Sequence, residues 1–206
     1  MQHAKTLSYF TDAVFVLLTL YLVLNYLRSI FAAPEPLILV MQQALFTAYL
    51  LIALILMAIR HGATEFSSRI RDYVYTLLGL GSPLLFQPAP RYRGEPVGVT
   101  LAFLGTILVL GAFLSLNRSF GLAPQNRGIK STGLYRLVRH PMYLGYILAE
   151  TGFVVDNLSI FNLFALAVSF LFLLLRLRAE ERLLETDPIY RAYTKKIRWK
   201  LIPFLF

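Results

Sequence analysis

The chain has 206 residues, of which 57% are hydrophobic and 15% are charged, whereas soluble domains carry about 25% charged residues. This composition excludes an ordinary soluble domain. The net charge of +9 suits loops that face anionic headgroups, and no nucleic-acid-binding module is visible in the sequence. The lack of cysteine excludes disulfides, thiolate metal sites and cysteine nucleophiles.

Apolar runs predict an all-α membrane protein. Four runs carry no formal charge and are near the roughly 20 residues that a spanning helix needs; they are residues 13–27, 37–59, 97–116 and 158–175. Two weaker runs lie between them. Residues 73–87 contain glycines and a proline, which predicts a kinked or re-entrant span, and residues 142–155 are short. We therefore predict a polytopic helix bundle of five to six spans.

The second weak run pairs with the span that follows it. Asp156 and Asn157 form a tight turn signal, so residues 142–155 and 158–175 predict a helical hairpin. The bundle has five spans if this hairpin counts as one broken element, and six if both arms count. Glu150 lies within an apolar helix and should face the bundle interior, where we favour a structural hydrogen bond over catalysis.

Positive charge orients the bundle. With six crossings and a cytoplasmic N-terminus, 17 of the 20 lysines and arginines fall in cytoplasmic segments, and only Arg28, Arg91 and Arg93 fall outside. This asymmetry follows the positive-inside rule and places both termini in the cytoplasm. It also brings residues 117–141 and 176–206 to the same face of the membrane.

Composition divides the chain at residue 116. Residues 1–116 are expected to form a transmembrane scaffold, and residues 117–206 a cofactor-binding and catalytic region made of a loop, the hairpin and a tail. In the tail, Asp187 is expected to cap a basic amphipathic helix that begins at Pro188, which is typical of an interfacial anchor. The last eight residues, WKLIPFLF, are aromatic and apolar and should return to the membrane surface.

Two polar stretches are candidates for chemistry. Pro141 disfavours helix at His140 and suits the first turn of the next helix, so the free N–H groups of that helix should face the loop. The second stretch, RLRAEERLL at 176–184, places Arg176 and Glu180 four residues apart on one helix face. Such a pair is usually a salt bridge in a solvated charge run, but this stretch continues directly from an apolar span. The hairpin returns it to the turn at His140, which predicts a site where the two stretches meet.

These stretches carry a resemblance to a family of membrane enzymes. The segments SFG, GLYRLVRHPMYLGYIL, RLRAEERLL and YRAYTKKIRWKLIPFLF occur in this order within residues 117–206. Together they resemble the isoprenylcysteine carboxyl methyltransferase and phospholipid methyltransferase superfamily. The resemblance implies S-adenosylmethionine as methyl donor, held between membrane helices and the tail. It implies polar catalytic positions at Arg176 and Glu180. The cofactor pocket that it implies is lined by Gly133, Leu134, Tyr135, His140, Pro141, Tyr143, Leu144 and Glu181.

The resemblance implies a lipophilic acceptor and leaves its identity open among a prenylcysteine-like carboxylate, a phospholipid amine, a small thiol and other lipids. Membrane lipids are the other expected partners; neither a nucleic acid nor a metal ion is expected. Two further functions are considered. The ending at 197–206 is similar to that of NADPH-dependent membrane sterol reductases, although those enzymes are larger. The other alternative is a non-catalytic lipid-binding membrane protein. Cofactor binding distinguishes the three functions.

Overall fold

The computed structural model describes residues 2–32, 37–88 and 95–206, and the regular secondary structure of this part of the chain is almost entirely helical, as predicted. The seven α-helices are α1 (Gln2–Ala32), α2 (Leu37–Ile59), α3 (Ile70–Gly81), α4 (Pro96–Leu116), α5 (Pro141–Asp156), α6 (Ile160–Leu184) and α7 (Pro188–Lys196). Short 3-10 helices cover Ser82–Leu85, Asn117–Ser119 and Gly133–Arg136. Two strands of two residues each, β1 (Glu65–Phe66) and β2 (Gln125–Asn126), pair antiparallel.

Three helices in the described ranges are long and apolar enough to cross a membrane. They cover Gln2–Arg28, Pro96–Ser119 and Ile160–Leu184, and a shorter apolar helix covers Gln43–Ile59. Length and hydropathy therefore support an integral membrane protein. The count of five to six spans stays a prediction. Arg91 and Arg93, which the charge count placed on the non-cytoplasmic side, lie outside the described ranges.

The weak run at 73–87 contains a helix break. Helix α3 ends at Gly81 and continues as the 3-10 helix Ser82–Leu85, which has Pro83 in its first turn. Proline lacks a backbone N–H and crowds the preceding turn, so a regular α-helix does not continue through this position. The run therefore contains a break at the position of its glycine and proline, and the choice between a kinked span and a re-entrant segment stays a prediction.

Helix α5 packs most closely against α4. The chain does turn at 157–159 as the hairpin prediction requires, and the Ser159 hydroxyl caps α6 by accepting the Asn162 N–H at 3.0 Å. The closest helix contact is nevertheless on the other side of α5, where a Cβ added at Gly105 of α4 would lie 2.4 Å from the Ala149 nitrogen. Small residues let two helix backbones approach, so this seam fixes the position of α5.

Glu150 joins α5 to α6 inside the bundle. The hydroxyl of Ser169 donates a hydrogen bond of 2.6 Å to Glu150 Oε2. A carboxyl group in an apolar helix needs such a partner, because an unsatisfied polar group away from water is costly. The structural hydrogen bond that the sequence analysis favoured is therefore present.

The loops and the tail meet at one end of the bundle. The pairing of β1 with β2 joins the connection after α2 to the loop at 117–132. The N–H groups of Arg139 and His140 donate to the carbonyls of Trp199 and Lys200 at 2.9 and 2.8 Å. Residues 117–141 and 176–206 thus lie at the same end of the bundle, where the two candidate stretches are side by side, and the membrane face that they occupy stays a prediction.

Candidate functional site

The turn before α5 is anchored to α4 through Gly133. This residue has φ of +59°, a left-handed conformation that favours glycine, and a Cβ at this position would lie 2.2 Å from the hydroxyl oxygen of Ser115. The same hydroxyl accepts the Leu134 N–H at 3.2 Å. The glycine therefore lets the chain reverse directly against α4 and leads it to His140.

His140 ends the turn, and Pro141 begins α5. As the sequence predicts, His140 has a non-helical backbone and Pro141 occupies the first turn of the helix. The His140 ring is buried, and its Nε2 lies 2.8 Å from Oε1 of Glu181 on α6. This contact joins the turn to the charged stretch that follows the α6 span.

Glu181 is the centre of a buried charge cluster. Its Oε2 lies 2.9 Å from Arg139 Nη1 and 3.0 Å from Lys200 Nζ, and the Tyr190 hydroxyl donates to its Oε1 at 2.5 Å. Both carboxylate oxygens are therefore engaged by protein groups. Glu181 ties together the turn, α6 and the tail, and it lies behind the cleft surface.

Glu180 faces a different group of residues. The hydroxyl of Tyr143 donates to Glu180 Oε2 at 2.8 Å, and the guanidinium carbon of Arg176 lies 5.3 Å from the centre of the Tyr143 ring. Arg176 and Glu180 form no ion pair within 4.0 Å, so the simple salt bridge common in such pairs is absent here. Tyr143 instead stands between them.

Arg176 is a buried cation with free hydrogen-bonding capacity. Its Nη2 donates to the carbonyl of Leu122 at 2.7 Å, and the residue is only 3% exposed. Its Nε and Nη1 atoms are buried without a hydrogen-bond partner. Buried charged donors of this kind are costly to leave unpaired, so they favour an anionic or acceptor-rich ligand at this point.

A cleft opens between the loop at 117–132, the turn and α7. Of the sequence-predicted site residues, Tyr135, His140 and Glu180 line it. The other predicted residues do not line it; they are Gly133, Leu134, Pro141, Tyr143, Leu144, Arg176 and Glu181. The cavity itself is about 60 Å³. In this conformation the cavity is smaller than a nucleoside.

Sequence reasoning missed several residues that line this cleft. They are Gln125, Arg127, Lys130, Tyr190 and Tyr193. The two tyrosines were visible as the buried side of an amphipathic tail helix, since they are three residues apart. The loop residues had no local signal, because β2 and the tail decide which of them turn inward.

Unpaired donors surround the cleft. Gln125 Nε2, Arg127 Nε and Arg139 Nε are buried without a partner. Burial, together with the nearby charge of Arg60, lowers the pKa of Arg127 to about 10. Burial and the carboxylate of Glu181 raise the pKa of Tyr190 far above its ordinary value, which keeps it a hydrogen-bond donor. The cleft thus offers donors to carboxylate, hydroxyl or ring-nitrogen acceptors, and Glu180 offers an acceptor to a cationic group.

No cluster of three or more metal-liganding side chains occurs within 2–32, 37–88 and 95–206. The unpaired donors and the Glu180 carboxylate suit an organic ligand that has both acceptor groups and a positive charge.

Comparisons with known proteins identify a family match over the region that contains this cleft. Residues 95–192 match the phospholipid methyltransferase family. The match covers α4, the cleft-forming loop, the turn, α5, α6 and the first half of α7, and it confirms the resemblance noted in the sequence. No curated protein gives a significant match to the chain.

Proposed function

From the phospholipid methyltransferase family match of residues 95–192, we propose that the chain is an integral membrane methyltransferase. It transfers the methyl group of S-adenosylmethionine to a lipophilic acceptor at the cytoplasmic membrane face. The observation that carries this proposal is the cleft at the end of an apolar bundle. There Glu180 meets the unpaired buried donors of Gln125, Arg127 and Arg139, and Tyr143 links Glu180 to the buried cation of Arg176 behind the cleft.

The cofactor is assigned to the cleft between the loop and α7. When bound, S-adenosylmethionine supplies a methyl group that its sulfonium centre has already activated. The unpaired donors of Gln125, Arg127 and Arg139 suit its carboxylate, ribose and adenine acceptors, and Tyr135 and His140 supply the wall. Glu181 acts indirectly, because it fixes His140, Arg139 and the tail in place.

The acceptor is assigned to Arg176, where the α6 span reaches the site. The two unpartnered nitrogens of Arg176, Nε and Nη1, suit a carboxylate or a phosphate, and the apolar span next to them suits a lipid tail. An amine acceptor releases a proton, which an oxygen of Glu180 accepts. A carboxylate acceptor releases none, and Glu180 then helps to orient it through Tyr143.

Calorimetric titration of the detergent-purified protein with S-adenosylhomocysteine tests the cofactor. We expect saturable binding, and no saturable binding of NADPH. In parallel, radiolabelled S-adenosylmethionine is supplied with phosphatidylethanolamine or a prenylcysteine analogue. Glu180→Gln should leave saturable S-adenosylhomocysteine binding in place. It should lower methyl transfer to phosphatidylethanolamine by about 100-fold or more, as expected for a lost acid–base group, and lower transfer to the prenylcysteine analogue less.

Arg178→Gln is the matched control. Arg178 lies on the same turn of α6 but is exposed, so this variant should keep both binding and transfer. Saturable NADPH binding in place of S-adenosylhomocysteine would favour the reductase. If neither cofactor binds, the non-catalytic lipid-binding function becomes the better explanation.

A further inference from the structure

The segment after α7 forms a compact loop with an exposed apolar tip. In this tail loop (residues 199–206), the N–H groups of three residues converge on the Phe206 carbonyl at 2.8 to 3.0 Å. Phe204 is 86% exposed and Leu205 is 75% exposed. Phe204 also has φ of +66°, a left-handed conformation that is costly for a bulky residue. The fold therefore maintains an aromatic side chain in an exposed position at a conformational cost.

Exposed basic side chains precede this tip in the chain. Arg191, Lys195, Lys196 and Arg198 are exposed, and none of them forms an ion pair within 4.0 Å in the part of the chain that the structure describes. The opposite side of α7 is buried, where Tyr190 and Tyr193 line the cleft. One short segment thus presents uncompensated positive charge outward and cleft-lining side chains inward.

The backbone fixes the height of the tail loop relative to the bundle. Trp199 and Lys200 pair with Arg139 and His140, the two residues directly before α5 begins. The tip therefore lies near the level at which α5 enters the apolar part of the molecule. An exposed apolar tip that follows a basic helix matches the composition of elements that bind at the headgroup boundary.

We propose that the tail loop and the outer side of α7 dock onto the anionic lipid surface of the cytoplasmic leaflet, and that docking holds the cleft wall in place. The apolar tip inserts among acyl chains, and the four unpaired cations meet anionic headgroups. The coupling to the cleft rests on the proposed function. It runs through the two backbone hydrogen bonds at 139–140 and through the ion pair of Lys200 with Glu181.

Trp199 makes the docking step directly measurable. It is the single tryptophan of the chain, and its ring centre lies 5.6 Å from that of Phe204. The full chain is reconstituted in nanodiscs that contain brominated phosphatidylcholine, with or without phosphatidylglycerol. We expect a blue-shifted emission and at least twofold stronger quenching with phosphatidylglycerol. Raising the salt concentration from 0.1 to 1 M should reverse both, because the screening length falls from about 10 Å to about 3 Å.

Variants separate the two parts of the interaction. Lys195→Gln/Lys196→Gln should weaken docking about fivefold for each charge removed. Phe204→Ser/Leu205→Ser should abolish quenching and keep the fold, because both residues are exposed. Arg28→Gln is the control. It removes an exposed charge near the C-terminal end of α1 and should leave Trp199 emission unchanged. Quenching that is equal in both lipid compositions, or a Trp199 signal that changes only with protein concentration, would overturn docking; the latter would indicate contact between copies of the chain.

The coupling is tested by titrating S-adenosylhomocysteine into the same nanodiscs. We expect about threefold to tenfold tighter binding with phosphatidylglycerol, and loss of that difference in Phe204→Ser/Leu205→Ser, since coupling between two ligands is reciprocal. Docking without a change in affinity would overturn the coupling. Failure of S-adenosylhomocysteine to bind in any lipid would instead count against the proposed function, because Trp199 reports docking without cofactor.

Discussion

Two adjacent glutamates on α6 occupy different environments. Glu181 is buried and engaged by Arg139, His140, Lys200 and Tyr190, whereas Glu180 lines the cleft and accepts one hydrogen bond from Tyr143. Successive residues on a helix point about 100° apart, so neighbours in sequence face different partners. At the residue scale, this separates a carboxylate that supports the structure from one available for chemistry.

The first prediction concerns how much each of these two glutamates contributes to the stability of the protein. Glu181→Gln removes the negative charge that two buried or partly buried cations share, which should lower the free energy of unfolding by about 3 kcal/mol. Glu180→Gln should cost less than about 1 kcal/mol, since it leaves no cation unpaired. Thermal unfolding in detergent measures both variants. Equal losses of stability would contradict the distinction.

The second prediction uses the pKa of Tyr190. Burial and the Glu181 carboxylate raise this pKa far above the ordinary 10.0, so the folded protein keeps a proton that the unfolded chain loses above about pH 10. The unfolded state then binds fewer protons, and stability falls as pH rises through this range. Tyr190→Phe should show a shallower decline in melting temperature between pH 9 and 11. Tyr21 is exposed, so the melting temperature of the Tyr21→Phe variant should fall with pH as steeply as that of the unsubstituted protein.

At the element scale, the α4–α5 seam determines where the site lies. A Cβ at Gly105 would lie 2.4 Å from a backbone nitrogen of α5, and one at Gly152 would lie 2.5 Å from the Ala102 nitrogen of α4. Gly145 contributes a third close approach, 2.6 Å from Val109 Cγ2. Because α5 begins at Pro141, a shift of this helix would also move the His140 turn.

The third prediction tests this seam. Gly105→Ala should destabilise the protein by about 1–3 kcal/mol, because rigid backbone atoms must move apart to admit the methyl group. Gly81→Ala, at the end of α3, meets no atom within 4 Å and should be neutral or slightly stabilising. Melting temperatures of the two variants give the comparison. A stable Gly105→Ala protein would show that the seam is looser than the structure indicates.

At the scale of the whole molecule, the bundle collects its loops, turn and tail at one end. Strand pairing, the 139–140 backbone bonds and the Glu181 cluster all lie there. An apolar bundle with one charged end favours a single orientation in the membrane, since basic segments remain on the cytoplasmic side.

The fourth prediction concerns this orientation. The chain has no cysteine, so single cysteines report accessibility without a background. Ser131→Cys and Lys195→Cys should react with a membrane-impermeant thiol reagent only from the cytoplasmic side, and Arg28→Cys only from the other side. Labelling of intact cells against inverted vesicles provides the measurement. If Ser131→Cys and Lys195→Cys react from opposite sides of the membrane, the predicted orientation is wrong.

Much of this arrangement is predictable because it depends on local properties. Each apolar run acts within one span, and the structure has the corresponding helices. The proline at 141 and the cap at Asp187 act within one turn, and α5 and α7 begin where they predict. The break after Gly81 was also visible. Charge asymmetry predicted that residues 117–141 and 176–206 share a face, because it depends only on the order of spans.

The amino-acid sequence by itself determined the helical class, the turns and the family resemblance, because hydropathy, proline geometry and motif order are properties of neighbouring residues. Only the tertiary structure decided that α5 packs on α4, that Gln125 and Arg127 turn into the cleft, and that Glu180 and Glu181 differ in environment. Those features depend on the rotation and separation of whole helices, which result from contacts between residues far apart in the chain. The physical reason is that the partners of a side chain lie on other helices and loops, whose positions no local sequence pattern encodes.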